Sequence, residues 1–115
     1  VATRKARKTR ARRTEFVVAD YLKPLWPEAE AVPSALPGRD ILNTPGVAVE
    51  VKARYGLDLP AWMKQAAKNA ETGDLPILVV RLNGQGEQSV GEFAAVVRLE
   101  DMRQLLILRD TLNTL

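Results

Sequence analysis

The sequence predicts an α/β domain, and three observations carry the prediction. An apolar stripe at helical spacing runs through residues 9–23 and stops at Pro24. Short apolar or alternating runs bounded by Pro and Gly occupy the middle of the chain, and helical patterns return at 58–70 and 100–113. Read in order, the elements are α-β-β-β-α-β-β-α. At 115 residues the chain is the size of one domain with one core.

In the first helix, Val18, Ala19 and Leu22, with Phe16 and Tyr21 nearby, form the apolar stripe. Glu15 stands on it, three, four and seven residues before Val18, Ala19 and Leu22, so it is expected to point toward the body and to need a partner. The plain alternative is a rim carboxylate paired with Arg12 or Arg10. Residues 28–34 alternate polar groups with Ala29, Ala31 and Pro33, which reads as a short edge strand where prolines are tolerated. Segments 38–43 and 47–53 follow as a hairpin. Between them, Asn43-Thr44-Pro45-Gly46 puts Pro and Gly where a type II turn wants them, bringing Asp40 back toward Glu50.

Along the second of these strands side chains alternate, so Val47, Val49 and Val51 point one way into a core while Ala48, Glu50 and Lys52 point the other way and carry charge. Asp58 and Pro60 open the next helix and Gly73 can close it. Trp62, Gln65, Ala66 and Asn69 share one of its faces, with Lys64 and Lys68 alongside. Gln65 there is a structural polar residue unless the helix packs across the Glu50 strand. Residues 76–82 read as a buried strand, 84–86 as a turn and 92–98 as another strand. The last helix has a wide apolar surface, with Met102, Leu105, Leu106, Ile107, Leu108 and Leu112. One sheet face cannot obviously bury it all, so the surplus is expected at a subunit interface; a broad core-facing helix is the alternative.

Composition narrows the chemistry. The chain has no cysteine and no histidine, which removes disulfides, thiolate nucleophiles, Cys- or His-ligated zinc and Ser/His/Asp machinery. Acids, lysine and a hard cation remain for hydrolysis. No membrane-length apolar run and no signal-peptide pattern occurs, so a cytoplasmic protein is expected. Seven of the 17 basic residues fall within 1–13 (Arg4, Lys5, Arg7, Lys8, Arg10, Arg12, Arg13) and none of the 14 acids does. The net +3 therefore divides into +7 for this arm and −4 for residues 14–115. Such an arm on a mildly acidic body fits a polyanionic partner, because neutralised phosphates release condensed counterions. A localisation tag or solvating tail is the alternative. No aromatic interleaves with the arm, so backbone contact is expected, with Arg54, Lys64 and Lys68 extending the basic surface.

Asp40, Glu50 and Lys52 are the candidate chemistry. Carboxylates are hard oxygen ligands of the kind Mg²⁺ takes in ones and twos while keeping waters. A lysine beside them can orient a nucleophile or offset charge on a phosphate. The ordinary alternative is a surface strand with Glu and Lys on its wet face and an unrelated Asp in a turn.

The element order with Asp40 and Glu50-Val51-Lys52 resembles the core of the PD-(D/E)XK nuclease superfamily, and most of all the small archaeal and phage-type Holliday junction resolvases. The likeness runs over residues 13–106 and is strongest over 34–65. It implies a restriction-endonuclease-like fold with a central mixed five-stranded sheet flanked by helices. Asp40 resembles the motif aspartate, Glu50 the second acid and Lys52 the motif lysine. Glu15 resembles the acid completing the metal site in resolvases, Ser34 a serine near the scissile phosphate and, less firmly, Gln65 a polar position on the following helix. Gly-Arg precedes Asp40 where the superfamily name implies proline. The resemblance further implies Mg²⁺, with Mn²⁺ as a substitute, held by Glu15, Asp40, Glu50 and the carbonyl of Val51. It implies a homodimer, four-way or other branched DNA as partner, and 5′-phosphate products. Flaps, forks or duplex DNA are alternative substrates, and a non-catalytic DNA-binding protein is the alternative from another class.

Overall fold

A computed structural model describes residues 3–33 and 38–115. Its elements are α1 (Arg4–Tyr21), β1 (Glu30–Ala31), β2 (Ile41–Leu42), β3 (Val47–Lys52), α2 (Leu59–Asn69), β4 (Leu75–Val80), a short 3-10 helix (Glu87–Glu92), β5 (Ala94–Val96) and α3 (Leu99–Asn113). The expected order of helices and strands is present. The single five-stranded sheet is not: β1 and β2 form a two-stranded antiparallel sheet, and β3, β4 and β5 form a mixed three-stranded one with β4 in the centre. The expected strands over 28–34 and 38–43 shrink to two residues each, too short to knit a continuous ladder.

The seam between the sheets is bridged at Asp40. Its N–H donates to Val49 O at 3.1 Å, its carbonyl accepts from Val32 N–H at 2.9 Å, and its side chain accepts from Val51 N–H at 2.7 Å. The turn behind it forms as the sequence predicts. Gly46 has φ 76°, the left-handed value a type II turn needs after Pro45, and Val47 N–H donates to Thr44 O at 3.0 Å.

Two apolar clusters lie on opposite faces of β3 and β4. Val18 and Ala19 of α1 pack with Ala29, Ile41, Val49, Val51 and Phe93. Trp62 of α2 packs with Leu78 and Val80, against Met63, Ala94 and Val96. Parallel pairing of β3 with β4 around α2 puts Glu50 beside Leu78, hence on the α2 face. The sequence leads one to expect a single core face on β3, but Ala48, Val49, Glu50 and Val51 are all buried because helices cover both sides.

The helices depart from expectation at both ends of the chain. α1 starts at Arg4, capped by the Thr3 hydroxyl accepting from Ala6 N–H at 3.1 Å, so the basic residues from Arg4 to Arg13 are helical. Phe16 and Tyr21 lie exposed, outside the core. α2 is capped by Asp58 as expected. α3 has no buried residue: Leu105, Leu106, Ile107, Leu108 and Leu112 are all exposed, so it is not a core-facing helix.

Candidate active site

The strand order decides where the acids meet. Arg81 N–H donates to Lys52 O at 2.9 Å, so the backbone of Lys52 faces β4 and that of Val51, one residue earlier, faces the opposite edge. Val51 N–H donates to Asp40 Oδ2 there, and the Val51 carbonyl leaves on the same edge. A backbone oxygen is thereby aimed into the Asp40 seam.

Glu50 enters from the α2 layer. It is only 2% exposed, and among the described residues one side-chain donor reaches it, Asn69 Nδ2 to Oε2 at 3.3 Å. Asn69 also donates to Gly38 O at 3.2 Å, tying α2 to the segment before Asp40. A carboxylate this buried costs several kcal/mol unless it is paired, neutralised or bound to a cation. Burial, followed by repulsion from Asp40, pushes Glu50 from an ordinary 4.5 up to about 7, against the opposing pulls of Asn69 and Lys52. Half-buried Lys52 is near enough to act on Glu50 through its charge, yet among the described residues it makes no ion pair.

Glu15 enters from the α1 layer. Arg12 Nη1 donates to Glu15 Oε1 at 3.2 Å and also to Val32 O, while its guanidinium lies over the Phe16 ring at 4.5 Å. The alternative pairing with Arg12 is therefore present, and so is the inward orientation. Burial first, then the charge of Asp40, raises Glu15 to about 6. Asp40 is near enough to both carboxyls, which come from opposite layers, for its charge to act on each.

These oxygens match a hard divalent ion in kind. Among the described residues no three acid side chains are close enough to cage an ion unaided. A Mg²⁺ that keeps several waters asks for only one or two carboxylates, which Asp40 and Glu50 can supply with the Val51 carbonyl.

Other expected residues fall elsewhere. Gln65 is exposed, and Asn69, one turn later on the same face, makes the bond to Glu50. Ser34 lies outside the described residues. Arg12 is engaged with Glu15 and Val32, and Arg13 with Glu87, while Arg4, Lys5, Arg7, Lys8, Arg54, Lys64 and Lys68 are exposed. Sequence reasoning missed Arg39. Its Nη2 donates to Asp74 Oδ2 at 2.6 Å and its Nη1 to Val47 O at 2.9 Å, which fixes the residue beside Asp40. The available signal was the arginine standing where the motif implies proline.

Among the described residues no helix is long and apolar enough to cross a membrane. Compared with known proteins, the chain matches no family model, no curated protein and no solved structure.

Proposed function

We propose that this protein is a metal-dependent endodeoxyribonuclease of PD-(D/E)XK type that hydrolyses phosphodiesters in branched DNA, four-way junctions above all. One observation carries the reading: a carboxylate 2% exposed on a core strand, Glu50, is set against Asp40 with a lysine two residues on. A merely structural side chain has no reason to bear that burial, since an apolar residue of similar volume would serve the core better. The β3-α2-β4 crossover and the element order support a restriction-endonuclease-like core.

Asp40, Glu50 and the Val51 carbonyl would hold Mg²⁺ or Mn²⁺, with Glu15 in support. The ion, when bound, supplies Lewis-acid stabilisation of a phosphoryl oxygen and a more acidic water. The chain's own groups do the rest. Lys52 orients the nucleophile and offsets charge gathering on the phosphate, Asn69 fixes the Glu50 carboxylate, and Arg12 fixes Glu15. The uncovered apolar side of α3 supports a homodimer, which would offer one site to each of two strands of a two-fold junction.

Asp40→Asn and Glu50→Gln should each bind a labelled junction and cut it at least about 10³-fold more slowly. Retained cutting by either protein removes the assignment. A panel of flaps, forks, duplex and junctions of one sequence, with and without Mg²⁺, separates the substrates: paired symmetric nicks confined to junctions are expected. That no three acids among the described residues lie close enough to cage an ion favours one rival, a DNA-binding protein without catalysis. That rival predicts salt-sensitive binding and no product with any cation.

A further inference from the structure

A second concentration of charge, opposite in sign to the acid centre, lies where β3 and β4 end. The residues lining the groove there include Lys5, Arg7, Arg10, Arg13, Tyr55 and Arg81, with Glu87 the one acid among the described residues. Arg13 occupies that acid through two bonds, Nε to Oε2 at 3.1 Å and Nη2 to Oε1 at 2.9 Å. Arg81 and Arg10 are left without a carboxylate partner among the described residues.

Arg81 is held by hydrogen bonds, and Arg10 lies against a ring with its fork unspent among the described residues. Arg81 is only 8% exposed; its Nη1 donates to Thr14 Oγ1 at 3.0 Å and its Nε to Gln85 O at 2.8 Å. Thr14 is fully buried and donates in turn to the backbone carbonyl of Arg10 at 2.7 Å, so one hydroxyl ties the Arg81 guanidinium to the turn of α1 that carries Arg10. The Arg10 guanidinium lies over the Tyr55 ring at 5.7 Å, and its Nε is buried with no acceptor. A buried guanidinium normally meets a carboxylate or a phosphate, whose oxygens fit its fork of N–H groups. Burial first, then the Arg10 charge, weakens the hold of Arg81 on its proton, partly offset by Glu87.

We infer that Arg10 and Arg81 form a seat for one backbone phosphate of a nucleic-acid strand, separate from the acids that would cut it. The owner of the phosphate rests on the proposed nuclease function, whereas the seat rests on the two arginines, Thr14 and Tyr55. Arg13 stands at its edge, held back by Glu87.

The experiment is anisotropy of a labelled four-way junction and a labelled duplex in EDTA, titrated across a range of KCl. Wild type, Arg10→Gln, Arg81→Lys and Arg109→Gln are compared, with folding checked by circular dichroism. Arg81→Lys keeps the buried charge and loses the fork; Arg109 belongs to an exposed pair with Asp110 on α3. Arg10→Gln should weaken binding about three- to ten-fold and reduce the log–log salt slope by about 0.9, one phosphate's worth. Arg81→Lys should weaken binding with little change in slope, and Arg109→Gln should match wild type.

A wild-type slope in Arg10→Gln overturns the seat, as does an equal loss in Arg109→Gln or a wild type that binds neither DNA. Inorganic phosphate is the second arm. If it raises the melting temperature of wild type but not of Arg10→Gln, while the DNA slopes coincide, the seat belongs to free phosphate and the strand assignment falls. No step requires cleavage, so cutting retained by Asp40→Asn would leave the seat standing, and loss of the seat would leave the acids untouched.

Discussion

The acid seam and the arginine groove are built on the same physics with the sign reversed. At the seam, Glu15, Asp40 and Glu50 crowd carboxyls against too few donors, and two of them hold their protons to about 6 and about 7. In the groove, Arg10 and Arg81 crowd guanidiniums against a single acid already taken by Arg13. α1 adds to the imbalance, because Arg4, Lys5, Arg7 and Lys8 sit at its positive end with no acid in the first turn. By contrast, Arg39 with Asp74 and Arg98 with Asp101 are charges matched within the fold. Unmatched charge of each sign, kept apart on one small body, fits the proposed pairing of a divalent ion at the seam with a backbone phosphate in the groove.

The largest expected effect concerns the acid seam without metal. Because the folded Glu50 holds its proton to about 7 and the unfolded chain releases it near 4.5, stability present below pH 4.5 is lost as pH rises through 7. For Glu50 alone the loss is on the order of 3 kcal/mol, roughly 10 °C in melting temperature for a domain of this size. Asp74 and Glu87, whose carboxyls are lowered by arginine, act only below the ordinary carboxylate range. The window between 4.5 and 7 therefore belongs to the seam. Thermal unfolding in EDTA should show that fall, Mg²⁺ should reverse it at pH 8, and Glu50→Gln should remove the Glu50 share and leave the smaller fall that Glu15 contributes on its way to about 6. A profile unchanged in Glu50→Gln would break the comparison, since the seam would then hold no unmatched charge.

A smaller effect sharpens the roles along α2. Asn69 pulls the Glu50 pKa down, so Asn69→Ala should move the midpoint of that stability loss to higher pH and cost about 1 kcal/mol at low pH, where its bond to Gly38 O is also lost. Gln65→Ala should move neither, being exposed. Equal shifts in the two variants would return Gln65 to the seam.

That pair of residues also shows what the chain discloses by itself. Alternation along 47–52 places Glu50 and Lys52 on one side, and Pro45-Gly46 predicts the turn that returns Asp40, because both follow from local backbone geometry. Choosing Asn69 over Gln65 needs the distance from α2 to β3, a tertiary quantity that one helical turn alters. The burial of Glu50 was hidden for the same reason: β3 looks half-exposed until α2 covers it. The split of the sheet follows from strands of two residues, below what periodicity can resolve. The helical arm was hidden by its charge, which masks an N-terminal cap at Thr3. The partner of Arg81 was not readable at all, since Thr14 lies far from it in sequence.

The smallest expected effect tests whether the groove is poised for an anion from outside. Glu87 is its one carboxylate, and it neutralises Arg13 on an exposed edge. Exposed pairs of this kind contribute little to folding, so Glu87→Gln should leave the melting temperature almost where it was. Its effect on binding has a definite sign. Removing the carboxylate frees the Arg13 fork and withdraws a negative charge from the groove, so DNA affinity at low salt should rise about two- to five-fold with a steeper salt slope. The gain should vanish in the double variant with Arg13→Gln, because the arginine is the group released. An affinity that falls instead would mean that Glu87 orders the groove for its ligand, and the likeness between the two charged regions would stop at the seam.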